Sequence, residues 1–237
     1  MGQVKQPRVV LISHTPEPER VVALAARLCT SAADLNELLE EISDDEAARL
    51  VRAIVRRGHL SVVEHAYFTF ALEGLSRAAS HQLVRHRIAS YSQQSQRYVR
   101  LEGGVPHIVP SAVADDEARR EVFDGALEAC EQAYEKLLEL GAAPEDARYV
   151  LPNATETRLL VSMNARSLLH FFELRLCRRA QEEIRRVAQL MLDQVRQVAP
   201  VLFETAGPPC ETRDFCPEGP NSCGRLATLR EKRRAEQ

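Results

Sequence analysis

Apolar positions along this chain recur mainly at helical spacing, with a few short runs at strand spacing. Residues 9–13 form a β-branched apolar run stopped by His14-Thr15-Pro16, and residues 66–70 alternate around Phe68 and Phe70; both predict strands, and residues 156–162 predict a third. From Pro18 onward Val21, Leu24, Ala25 and Leu28 predict a first helix ending near Thr30, and residues 34–41 a second. Ser43-Asp44-Asp45-Glu46 is a capped start for a third, which carries Leu50, Ile54 and Val55 on one face and stops at Gly58. Residues 76–84 predict a helix with Leu75, Ala79 and Leu83 inward. Residues 115–140 predict a long amphipathic one on Val122, Ala126, Cys130, Ala133 and Leu137, ended by Gly141 and followed by a short helix opened by Pro144. Residues 180–203 predict a last long helix with Ile184, Val187, Ala188, Met191, Leu192 and Val195 inward, and Pro200, late in it, is a candidate early stop. No repeat or linker divides the chain. The expected organisation is one domain over 1–207 and a Pro/Gly/Cys-rich tail over 208–237.

Two stretches break this pattern with chemistry. Residues 85–98 hold three Arg, a His, three Ser and three Gln, with Ile88 and Ala89 as the only aliphatic members. An Arg fork grips a phosphate through two parallel hydrogen bonds, and Ser and Gln complete the shell, so the run reads as a polyanion site. On composition alone a solvated basic surface or a nucleic-acid patch is the competing reading. In the second stretch, from Asn164, the residues Leu168, Leu169, Phe171 and Phe172 supply a packing face that Arg166, His170 and Arg175 interrupt. A His among phenylalanines is commonly a bonded core residue, and an Arg near Glu173 a surface ion pair. Three such groups behind Asn164 point to a site.

The wider composition narrows the classes. A net charge of -3 argues against a dedicated nucleic-acid binder, and the absence of Trp against a stacking platform for single strands. Only three of the 31 basic residues are Lys, so a single Arg carries little weight without its neighbours. The apolar run near the N-terminus is too short for a signal core or a membrane span, which places the protein in the cytoplasm, away from membranes. Neither G-x-G-x-x-G nor a P-loop occurs, so side chains must do what glycine-loop amides do elsewhere. His59, Glu64 and His65 lack the spacing of a metal helix. Cys210, Cys216 and Cys223 offer three soft ligands that could hold zinc with a fourth from elsewhere, but without the C-x2-C pair of a strong zinc signature. No metal is expected; the tail cysteines read as reduced thiols, and Cys29, Cys130 and Cys177 as buried ones.

The order of residues in these stretches carries a resemblance. Arg85-His86-Arg87, Ser95 and Arg97 form R-H-R-x7-S-x-R, which resembles the signature of the flavin-dependent thymidylate synthases, the ThyX family. The turn Gly58-His59-x-Ser61-x-x-Glu64-His65 and the run Asn164-Ala165-Arg166-Ser167-Leu168-x-x-Phe171 with Leu174-Arg175 are similar to two further elements of that family. The resemblance implies an α/β (α+β) domain of long helices on a small, mostly antiparallel sheet, assembled as a homotetramer whose active sites are shared between subunits. It implies conversion of dUMP to dTMP with FAD, NADPH and 5,10-methylenetetrahydrofolate.

By the same resemblance His59, Ser61, Glu64, Arg85, His86, Arg87, Gln93, Asn164, Ala165, Arg166 and His170 would surround FAD. Gln82, Leu83, Val84, Arg85, Gln93, Gln94, Ser95, Gln96, Arg97, Arg148 and Arg175 would hold dUMP, with Arg175 as the activating residue. Ser95 as a nucleophile is the weaker alternative, since no base lies beside it in sequence. Gln93 stands where some members have Glu, His170 where some have Asn, and Cys29 where a hydroxyl can occur. Two rivals remain: a flavin- and folate-dependent methyltransferase acting on RNA uridine, which would need a basic docking surface, and a non-enzymatic nucleotide- or RNA-binding module using the Arg run alone.

Overall fold

The computed structural model describes residues 2–39, 42–101 and 103–235. In chain order the main elements are β1 (Arg8–His14), α1 (Pro18–Thr30), α2 (Leu35–Leu39), α3 (Asp44–Arg57), β2 (Tyr67–Ser76), α4 (Arg77–Leu83) and β3 (Ser90–Gln93). They continue with α5 (Ser111–Ala114), α6 (Glu117–Glu139), α7 (Pro144–Ala147), β4 (Glu156–Asn164), α8 (Ala165–Arg175), α9 (Glu182–Val198), α10 (Pro209–Thr212) and α11 (Arg225–Ala235). Positions 40 and 41 of the expected second helix lie outside the described residues.

The four strands pair in the order β1-β2-β4-β3, antiparallel throughout. Alternation along β2 and β4 sends Phe68, Phe70, Leu72, Leu159, Val161 and Met163 to one face, where α8 and α9 bury them with Phe171, Phe172 and Phe203. The opposite face carries Val10, Ile12, Tyr67 and Leu160, each more than a third exposed. β2 bulges between Leu72 and Leu75 at Gly74, which has φ +70°; a Cβ there would sit 1.9 Å from the carbonyl oxygen of Gln6, so only glycine fits.

Local chemistry sets the ends of the elements that carry the site. Ser43 caps α3 by accepting from the Glu46 amide at 3.3 Å, and Gly58 at φ 74° closes it by donating to Ile54 and Val55. The chain then makes the 3-10 turn Val62–His65, with Val62 and Val63 buried. Ser76 ends β2 and caps α4 through the Ala79 amide at 3.0 Å. Asn164 ends β4 and caps α8 through the Ser167 amide at 2.9 Å. Each informative helix therefore starts where a strand of the central pair stops.

Two helical faces and one cysteine differ from the sequence expectation. In α1 the buried residues include Val22, Ala23 and Ala26, whereas Leu28 is 55% exposed and Cys29 is exposed rather than buried; Cys130 and Cys177 are half-buried. The helix packs on α3 and the Val62–His65 turn, and small residues permit that close approach. In α6 the buried residues are Leu127, Glu131 and Tyr134, while Val122 is 75% exposed. Glu131 accepts the Val105 amide at 3.0 Å and the Tyr134 hydroxyl accepts the Leu101 amide at 3.3 Å. Polar groups that serve a neighbouring loop thus occupy the inner arc that an apolar count passes over. β3 was not expected either, because Ser90-Tyr91-Ser92-Gln93 is polar and pairs only along the sheet edge with β4. The last long helix ends at Val198, ahead of Pro200, the early stop that the proline offered.

Candidate active site

A cleft of about 760 Å³ opens where the loop after α4 meets α8 and the turn after α3. Its polar wall brings together Glu64, Arg85, His86, Arg87, Asn164, Arg166, His170 and Arg175. These come from three stretches of sequence separated by up to a hundred residues. Leu60, Ile88, Leu169 and Leu174 supply an apolar lining that the motif reading passed over.

The wall is fixed by hydrogen bonds between the stretches. Arg175 Nε donates to His86 Nε2 at 3.0 Å and its terminal nitrogen to the Gln82 carbonyl at 3.2 Å. The accepting Nε2 carries no proton, which places the imidazole proton on Nδ1. Burial first, then the charges of Arg175 and His170, push the His86 pKa down to about 4. His86 is therefore neutral near pH 7 and serves as an acceptor for a cation. Its ring meets Phe171 edge-on at 5.0 Å and His170 at 6.0 Å between centroids. Burial lowers the pKa of Arg175 as well.

Tyr91, which no motif singled out, holds the loop. Its hydroxyl lies 2.9 Å from the carbonyls of both Leu83 and His86, and burial raises its pKa. The hydroxyl thereby ties the loop bearing Arg85 and Arg87 back onto the end of α4. The signal available was an aromatic among Ser and Gln residues, with its apolar ring turned inward.

Cations outnumber carboxylates in the cleft. Arg166 pairs with Glu64 at 2.5 Å, and Glu173 is paired with Arg213. Among the described residues Arg85 and Arg87 make no ion pair. Two free guanidiniums over an apolar floor fit an anionic ligand with a flat apolar part, and a dinucleotide has both.

Other candidate residues lie elsewhere. His59 and Ser61 are exposed on the turn beside Leu60. Leu83 and Ala165 are buried, and the Ala165 amide is bonded to the Ala66 carbonyl at 2.8 Å. Val84 caps α4, and the side-chain amide of Gln82 reaches Gln181 at 3.4 Å. Gln93 donates to Ser80 and Thr157 at 3.0 and 3.1 Å. Gln93 and Gln94 border a second cavity of about 650 Å³ on the open sheet face, with Val10, Ile12 and Leu160. Ser95 and Gln96 are half-buried beyond it, and the Ser95 hydroxyl accepts the Arg97 amide at 3.2 Å. Arg97 pairs with the Glu145 carboxylate at 2.8 Å while Arg148 donates to the Glu145 carbonyl at 3.0 Å. One chain thus brings seven of the flavin candidates, Glu64, Arg85, His86, Arg87, Asn164, Arg166 and His170, into the cleft, leaves His59, Ser61, Gln93 and Ala165 outside its lining, and sets Arg97 and Arg148 around Glu145.

Comparison with known proteins decides the family. The sequence model of the Thymidylate synthase complementing protein family matches residues 10–201. A flavin-dependent thymidylate synthase of Geobacter sulfurreducens is 54% identical over 94% of this chain and 96% of its own. This chain belongs to the flavin-dependent thymidylate synthase family. A second member, from Clostridium tetani, is 44% identical over 97% of this chain and 98% of its own. The fold agrees with that of the UMP/dUMP methylase PolB from Streptomyces cacaoi, solved with 5-Br dUMP. The TM-score is 0.76 at 28% identity, over 85% of this chain and 95% of the other.

Proposed function

We propose that this chain converts dUMP to dTMP, with FAD as redox cofactor, NADPH as hydride source and 5,10-methylenetetrahydrofolate as carbon donor. The observation that carries the reading is the cationic cleft in which Arg85 and Arg87 face Asn164, Arg166 and His170, with Arg175 held by neutral His86. The flavin and folate supply the hydride and one-carbon chemistry when bound.

The protein's part is binding, orientation and charge. Arg85 and Arg87 offer unpaired forks to the pyrophosphate of the dinucleotide, with Asn164, Arg166 and His170 across the cleft and His59, Ser61, Glu64, Gln93 and Ala165 as further contacts. Ser95, Arg97 and Arg148 hold the dUMP phosphate, and Gln82 through Arg85, with Gln93, Gln94 and Gln96, complete the nucleotide shell. Arg175 faces the uracil edge and stabilises negative charge developing on N3 and O4. Its two anchors, His86 and the Gln82 carbonyl, keep the guanidinium oriented before substrate arrives.

The working unit on this reading is a homotetramer in the cytoplasm, with 1–207 as its catalytic domain. Support comes from the open apolar sheet face of Val10, Ile12, Tyr67 and Leu160, and from the separation of the Arg97–Glu145–Arg148 group from the cleft lining. A second chain completing each site accounts for both. Among the described residues no helix is long and apolar enough to cross a membrane.

The test is product formation from dUMP with each component omitted in turn. UMP belongs in the same experiment, because the neighbouring methylase is described for UMP and dUMP alike. Product that persists without flavin or without folate contradicts the reading.

A further inference from the structure

The tail holds Cys210, Cys216 and Cys223 at gaps of five and six residues, and the fold adds a fourth thiol to them. Cys177 lies two residues beyond Arg175, on the connection from α8 to α9. All four cysteines line one cavity of about 70 Å³, and neither Cys29 nor Cys130 lines it.

The tail has little else to hold it. Residues 211–224 are exposed apart from half-buried Cys216, and α11 buries no side chain. Beyond the buried start at Pro208, Pro209 and Cys210, its ties to the body include Arg179 with Glu218 at 3.2 Å, Arg179 with the Asn221 carbonyl at 2.7 Å, and Arg213 with Glu173, while Arg230 pairs with Asp214 inside the tail itself. Pairs of this kind contribute little. A segment with no core of its own needs a staple, and four soft sulfur donors around a small cavity are the donor set of a structural zinc ion.

We propose that Cys177, Cys210, Cys216 and Cys223 bind one Zn²⁺ that fastens the C-terminal tail to the end of α8. Among the described residues no three such side chains are already gathered about one point. Ion binding therefore draws the thiols inward from the cavity wall. Each S–H proton is released as a Zn–S bond forms, leaving a doubly negative tetrathiolate centre. Arg178, Arg179 and Arg225 on the same wall offset that charge. Glu173 and Leu174 line both this cavity and the cleft, so the ion would brace the cleft wall beside Arg175.

The experiment loads the full chain with Zn²⁺ alone, removes free metal by desalting, and counts zinc per chain by elemental mass spectrometry. Roughly one ion per chain is expected, released by a thiol-reactive mercurial, with faster tryptic cutting of the tail after chelation. Cys216→Ser with Cys223→Ser, both outside the buried core, should keep the circular dichroism of the parent and weaken zinc binding at least about tenfold. Cys29→Ser should leave zinc binding unchanged. No tight zinc in the unmodified chain overturns the proposal, whether all six thiols titrate freely or some are paired as a disulfide. Full zinc retention in the double variant overturns it equally.

Discussion

Arg175 and His86 meet at 3.0 Å, guanidinium Nε to imidazole Nε2, and this bond joins the two stretches that line the cleft. It works only while His86 is neutral. A protonated imidazole has no lone pair on Nε2 and would set a second positive charge against Arg175.

The pH dependence follows with a definite sign. The folded-state pKa of His86 is lowered to about 4 from an ordinary 6.5 by burial, then by Arg175 and His170. Unfolded chains take up the proton first, so this residue removes stability as pH falls from about 6.5 toward 4 and changes nothing above that window. Histidine NMR should show His86 titrating near 4. In Arg175→Ala the value should rise, since one cation is gone while burial remains. A His86 that titrates near 6.5 in the parent contradicts the neutral-acceptor arrangement.

Arg175→Ala should retain flavin and lose turnover by about a hundredfold or more, the scale for removing one preorganised charge stabiliser. Flavin absorbance on the purified protein and single-turnover product formation separate the two effects. Full activity in this variant removes Arg175 from the activating role.

Arg97→Ala and Arg148→Ala should each weaken dUMP binding by about 10- to 100-fold, the worth of a lost charge-assisted bond to phosphate. Deoxyuridine, which lacks the phosphate, should bind all three proteins alike. Unchanged dUMP affinity in both variants counts against the phosphate role.

Tyr91→Phe deletes the hydroxyl that holds the Leu83 and His86 carbonyls and should cost about 1–2 kcal/mol in urea unfolding. Flavin affinity should fall with it, because the loop bearing Arg85 and Arg87 loses its tie to α4. Parent-like flavin affinity would show that the loop is held by other contacts.

Much of this arrangement was legible from local patterns. Alternation around Phe68 and Phe70 marked the central strand, Ser43 and Gly58 marked both ends of α3, and the stripe from Ile184 to Val195 is buried throughout. The R-H-R and N-A-R-S-L stretches were linked only through the family resemblance, and the fold brings Arg85, His86 and Arg87 into one cleft with Asn164, Arg166 and Arg175. What local pattern could not supply was non-local. Val22 rather than Val21 faces inward in α1 because α3 and the following turn, not the sheet alone, cover that helix. The strand Ser90–Gln93 is polar because one of its edges stays unpaired, so no apolar alternation announces it. Cys177 joins the tail cysteines only through tertiary packing, across more than thirty residues of intervening chain.

The central claim is tested most directly by anaerobic incubation of purified protein with dUMP, FAD, NADPH and 5,10-methylenetetrahydrofolate, omitting each in turn. The account predicts dTMP only when dUMP, NADPH and 5,10-methylenetetrahydrofolate meet flavin-loaded protein, and none from protein stripped of flavin until FAD is restored. Absence of dTMP from a complete mixture in which the flavin is bound and reduced by NADPH would contradict it, and would direct the search to a different uridine-containing acceptor.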